Sequence, residues 1–245
     1  MLFPPPFECH GRTRPLSVPR RFVADFIHFA RKTPLVAITR RMDLAPLVAA
    51  RKASAQPPNW TLTFARAFAV VAAGRPELRS AYMPFPWPHL YENAESVASI
   101  AIEREYAGEP MLLFALFLAP DKSPLAELTA RMHHFKTAPL ETVEQLYRTV
   151  RITKLPRPIR RALWIHTLYQ SGRIKAQNVG TFGVSSVAPF GVTTTAILSP
   201  LTSTLSFGPF DESGKLDVRL DFDHRVYDGR LAARALTEME AVLRG

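Results

Sequence analysis

Residues 216–229 read LDVRLDFDHRVYDG, and they decide how the rest of the chain is understood. Leu216, Val218, Leu220 and Phe222 alternate with Asp217, Arg219, Asp221 and Asp223, the period-two pattern of a strand with one buried face. Ser213-Gly214 supplies the turn before it. The strand delivers His224 at its end, a short turn follows, and Asp228-Gly229 opens a helix expected from about residue 230 to 243. That helix places Ala232, Leu236, Met239 and Leu243 on one face. Side chains displayed at a strand end beside a rigid sheet are well placed for chemistry. A histidine there titrates near neutral pH and can act as a general base, with Asp228 orienting a partner or stabilising the loop. The same residues also read as purely structural: Asp228 caps the helix, Gly229 relaxes the turn and His224 is a satisfied histidine.

Upstream, residues 178–210 carry no charge at all and are rich in Thr, Ser, Gly, Val and Phe, which predicts buried strands and turns. Residues 97–103 and 111–119 read as two strands joined by the turn 107–110. The second is apolar on both faces and is expected at the centre of a sheet. Helices are expected from Pro19 to Lys32, and over residues 62–73, 123–134, 140–150 and 159–170, with a strand over 35–42 and a rigid proline loop over 84–88. Residues 1–18 hold four prolines and read as an extended arm; residues 19–245 read as one mixed α/β domain.

With 245 residues, 47% of them hydrophobic and 21% charged, the chain is neither disordered, collagenous nor a disulfide-stapled miniprotein. Cys9 is the only cysteine, so neither an internal disulfide nor a cysteine-based zinc site can be built. His133-His134 lacks further ligands at metal spacing, and no metal is expected. No secretory signal and no membrane-length apolar run is legible, which predicts a cytoplasmic protein. The net charge of +10 suits phosphate-bearing ligands, acidic carrier proteins, nucleic acid or anionic membrane. Residues 145–210 hold eight basic and no acidic side chains, among them Arg148, Arg160, Arg161 and Lys175; this patch reads as a phosphate or carrier-protein surface, or simply as a solvated face. No zinc-finger, RNP or helix-turn-helix pattern accompanies the charge, so nucleic acid is not expected as a partner.

The run DHRVYDG (residues 223–229) and its Ala-rich amphipathic helix resemble the C-terminal signature of the acyltransferase catalytic domain of 2-oxo acid dehydrogenase complexes. That family shares the chloramphenicol acetyltransferase-like fold. NVGTFG (residues 178–183) is similar to the family's Asn-x-Gly-x-Phe-Gly turn, and Arg75-Pro76-Glu77-Leu78 to its His-Pro-Glu-Leu helix end. Thr33 to Ile38 with Met42-Asp43-Leu44, and Pro15-Leu16-Ser17 with Arg20, resemble its first strand and the segment before it. The resemblance implies a two-layer α/β fold, a mixed sheet flanked by helices, assembled as a homotrimer or a multiple of trimers with active sites between subunits. His224 would be the general base that activates a thiol, hydroxyl or amine for attack on an acyl thioester, with no acyl-enzyme. Asp228 would pair with an arginine, Arg20 or failing that Arg21, and Asn178 and Gly229 would support the site.

Where the family has Ser or Thr before its Asn, this chain has Gln177. Gln177, Thr181, Ser185 or Ser186 is then expected to donate to the oxyanion. With no lipoyl domain or linker in the sequence, the resemblance implies a free-standing acyltransferase using an acyl-coenzyme A or acyl-carrier-protein cosubstrate, with no covalently bound cofactor. Gln177 also sustains a second reading, a catalytically silent trimeric scaffold or ligand-binding homologue.

Overall fold

In the computed structural model, which describes residues 10–245, the alternating segment forms β8 (Lys215–Asp223). Its register with β1 (Leu35–Asp43) is antiparallel, Leu35 facing Asp223 and Asp43 facing Lys215. On its other side β8 pairs antiparallel with β7 (Ser203–Phe207), which runs parallel to β6 (Phe182–Ser185). β6 is parallel to β4 (Val97–Tyr106), and β4 is antiparallel to β5 (Glu109–Leu118), giving the order β1-β8-β7-β6-β4-β5. The uncharged stretch therefore supplies the two middle strands, where both faces are covered and a charge would be desolvated. A separate hairpin joins β2 (Ser80–Met83) to β3 (His89–Glu92).

One face of the sheet packs on α3 (Trp60–Ala73) and α8 (Gly229–Arg244). Phe64 stacks on Phe207 at 4.4 Å between ring centroids, and Phe68 meets Phe182 at 4.8 Å. Asn59 caps α3 by accepting from the Thr61 and Leu62 amides, and Gly74 and Pro76 stop it. α4 (Leu125–Thr137) closes the same layer through Phe135, edge-on to Phe117. On the opposite face α1 (Val18–Ala30) and α5 (Glu144–Lys154) pack on β5, and α6 (Arg157–Tyr169) packs on α1 through Trp164, which meets Phe22 and Phe29. Two short helices, α2 (Ala45–Ala53) and α7 (Gly172–Asn178), complete the chain; neither, nor the β2–β3 hairpin, was legible in the sequence pattern.

β5 corrects one expectation. It is the last strand of the sheet rather than a central one. Met111, Leu113, Ala115 and Phe117 enter the core; on its second face Phe114 stacks on Phe26 of α1 at 5.2 Å and Leu116 is buried, while Leu112 and Leu118 are exposed. An edge strand with a helix on part of its second face carries the same apolar pattern as a central strand. The N-terminal arm is described only from His10, without regular structure before Val18; Cys9 lies outside the described residues. Among the described residues no helix is long and apolar enough to cross a membrane.

α1 is pinned to α6 by a buried ion pair. Asp25 is 3% exposed and Arg160 is 7% exposed; Arg160 Nε donates to Asp25 Oδ2 at 2.6 Å, and one of its terminal nitrogens donates to the Leu155 carbonyl at 2.9 Å. Arg160→Leu strands the carboxylate in the interior and is expected to lower stability by about 3–5 kcal/mol in urea unfolding. Removing both charges in Asp25→Leu/Arg160→Leu should recover most of that loss.

Candidate active site

The end of β8 is anchored by groups on both sides of His224. The Asp223 carboxylate is 3% exposed and accepts from the Arg225 backbone amide at 3.0 Å, from Arg225 Nε at 2.9 Å and from a terminal guanidinium nitrogen at 2.7 Å. The guanidinium lies 4.1 Å from the centre of the Tyr82 ring. Two residues on, the Tyr227 hydroxyl pairs with the Ser203 hydroxyl at 2.7 Å, and its ring stacks on Phe222 at 5.0 Å. Burial pushes the Tyr227 phenol up, so it stays protonated. With these neighbours turned inward, His224 is turned out. It is exposed, lies 5.7 Å from the Phe222 ring, and makes no hydrogen bond with any described residue.

Asp228 caps α8, accepting from the Leu231 amide at 2.9 Å. The ion pair expected of it does not form: Arg20 is exposed, and Arg21 donates to the Leu16 carbonyl. The carboxylate serves a helix N-terminus instead, and its role is to fix the turn that carries His224. Gly229 follows as the first residue of that helix.

The expected oxyanion segment is redistributed. Gln177 and Asn178 are the last residues of a helix, α7, rather than part of a turn. Gln177 is exposed. Asn178 accepts from Arg148 at 2.6 Å and donates to the Ile174 carbonyl at 2.7 Å. Thr181 is buried; its hydroxyl accepts from the Val97 amide at 2.9 Å and donates to the Val97 carbonyl, so it pins β6 to β4 and has no proton for a substrate. Gly180, at φ +103°, packs where a Cβ would lie 2.9 Å from the Val97 carbonyl oxygen. Ser186 donates to the Phe207 carbonyl. Ser185, at the end of β6, is the remaining candidate. Its hydroxyl has no partner among the described residues, and it lines a cavity of about 140 Å³.

That cavity shares Phe26, Phe114 and Val179 with a larger one of about 420 Å³, walled by Phe22, Trp164 and Ile152. The Gln145 amide nitrogen is buried there without a partner among the described residues. His224 lines neither cavity. A third, of about 180 Å³, lies beside Arg225 and Lys175. Lys175 is 8% exposed; burial pushes its ammonium down to about 8, with Asp223 opposing the shift and Arg225 adding to it. The basic patch of residues 148–175 is thus largely internal business: Arg160 holds Asp25, Arg148 holds Asn178, Arg151 holds Glu144 and Lys154 sits over the Tyr106 ring. Among the described residues no cluster of three potential ligands could hold a metal.

Comparison with solved structures places this architecture. A probable dihydrolipoamide acetyltransferase from Listeria monocytogenes 4b F2365 superposes with a TM-score of 0.67 at 19% identity, over 95% of this chain and 94% of that one. The dihydrolipoamide acetyltransferase of Azotobacter vinelandii gives 0.67 at 18% identity, over 99% and 97%; its structure belongs to an investigation of the role of a serine, a histidine and an asparagine in the catalytic mechanism. A chloramphenicol acetyltransferase gives 0.54 at 15%, over 94% and 96%. The fold is chloramphenicol acetyltransferase-like, of the kind found in dihydrolipoamide acetyltransferase cores, as the DHRVYDG resemblance implied. No protein-family profile and no curated protein matches the sequence.

The lowered Lys175 value carries a sign. Below about pH 8 the ammonium is charged in both folded and unfolded chains, and its full burial cost is present. Between about 8 and 10.5 the unfolded chain binds more protons, so the cost fades as pH rises. Lys175→Met is therefore expected to be more stable than the wild type at neutral pH. Denaturant titrations should show that advantage shrinking across this window.

Proposed function

We propose that the protein is an acyltransferase that moves an acyl group from a thioester to a thiol, hydroxyl or amine, at a site completed between two subunits. The observation that carries this reading is a separation. His224 is held outward with no cavity of its own, while Ser185, whose hydroxyl is unpaired, lines a cavity that holds no base among its walls. A second copy supplies to each what it lacks. A trimer, or a multiple of trimers, presents His224 of one subunit to the Ser185 cavity of the next.

In such a seam the neutral imidazole removes the proton from the acceptor as the nucleophile attacks the thioester carbonyl. The carbonyl π electrons move onto oxygen, and the oxyanion accepts a hydrogen bond from the Ser185 hydroxyl. Collapse of the tetrahedral intermediate breaks the carbon–sulfur bond and expels the thiolate, which takes the proton back from the imidazolium. Acceptor and donor are both present throughout, so no acyl-enzyme forms. The adjoining cavity, walled by Phe22, Phe26, Phe114 and Trp164, suits an apolar acyl chain. Acyl-coenzyme A or an acyl-carrier protein is the donor, and the site of action is the cytoplasm.

The silent-scaffold reading rested on Gln177. Ser185, at the end of β6 and beside a cavity, supports the acyltransferase reading over it.

A screen of acyl-coenzyme A thioesters, following free thiol with and without acceptors, tests the proposal. His224→Ala and Ser185→Ala should each lower turnover by about 100-fold or more. Mixed assemblies of the two variants should regain activity, because some seams then pair an intact histidine with an intact serine. Full turnover by His224→Ala, or no thioester turned over by the wild type, would overturn it.

A further inference from the structure

The third cavity is unused by acyl transfer. Its wall combines side chains from five places in the fold: Lys32 just after α1, Tyr82 of β2, Tyr169 at the end of α6, Lys175 of α7, and Arg225 after β8. Three cations line it, and the Arg225 guanidinium is already engaged with the Asp223 carboxylate through two N–H groups. Lys175 is more than nine-tenths buried, lines the cavity, and has no hydrogen bond or ion pair with any described residue. A buried ammonium left this way lacks its counter-charge.

We propose that this cavity binds a phosphate group, held by the ammonium groups of Lys175 and Lys32 with the Tyr82 and Tyr169 hydroxyls as further donors. At about 180 Å³ it is smaller than the pockets that take drug-sized ligands, and it fits one small anionic group. The one guanidinium fork in the wall is locked onto Asp223, so the paired N–H recognition that favours a carboxylate is taken. What remains are point donors approaching from different elements, which match the separate oxygens of a tetrahedral dianion. Burial also raises the Tyr169 phenol, keeping it a donor. Lys32 is exposed and stands at the solvent side. The site is independent of acyl transfer, and binding is read without turnover.

Titration of the protein with inorganic phosphate at low ionic strength tests this, by thermal unfolding and calorimetry. Saturable stabilisation is expected for the wild type, with affinity at least about tenfold weaker in Lys175→Met and a few-fold weaker in Tyr169→Phe. Lys175→Met removes an unpaired buried charge and is expected to fold, as circular dichroism will show. At about pH 8.5, where phosphate is already a dianion, binding should draw a proton onto Lys175, seen as a buffer-dependent heat that Lys175→Met lacks. Glycerol phosphate separates the sources: binding equal to inorganic phosphate marks the phosphate of a larger ligand, and its exclusion marks the free ion. Equal stabilisation by acetate, no stabilisation of the wild type, or unchanged affinity in Lys175→Met would each overturn the proposal.

Discussion

A carboxylate taken out of water at the end of a strand must find its protons nearby, and Asp223 finds them on the next turn of its own chain. Three N–H groups of Arg225 converge on it, and the Arg225 guanidinium in turn lies on the ring of Tyr82. This closure sets the direction of the residue between them. With positions 223 and 225 folded back on one another and Tyr227 tied to Ser203, the side chain of His224 is left facing solvent. Asp228 then starts α8, whose apolar face returns to the sheet. The outward histidine is thus a by-product of satisfying its neighbours.

Much of this was written in the sequence in terms that local physics can read. The alternation from Leu216 to Asp223 gave β8 its faces, and the absence of charge between Asn178 and Phe210 marked the strands that neither face leaves wet. The Asp228 cap, one of two readings of that residue, is the one realised within the chain. Other features depend on distant partners and left no local mark. The pairing of Asp25 with Arg160 spans 135 positions, and no spacing rule links them. Neither could sequence order show that the Thr181 hydroxyl is committed to Val97, or that Ser185, four residues later, is left unpaired at a cavity wall. The likeness of NVGTFG to a turn motif misplaced the segment because α7 runs through its first residue.

Net charge proved a poor guide to where ligands belong. Most of the basic side chains between Gln145 and Phe210 are engaged with carboxylates, carbonyls, an amide or an aromatic ring of the same chain. Lys175, by contrast, has no partner among the described residues and is only 8% exposed. Charge density on a sequence counts ions without asking which are already neutralised, whereas burial and pairing decide which of them can still act on another molecule.

The rim of the sheet carries one further consequence. β5 is rich in leucine and phenylalanine, and no other strand pairs with its far side among the described residues. Such a margin invites a second chain to add itself by backbone pairing and to propagate into fibres. β5 begins with Glu109 and Pro110, both exposed: one brings charge, the other withholds an amide hydrogen. A charge and a missing amide hydrogen at that end of the strand both disfavour the addition of a further strand there.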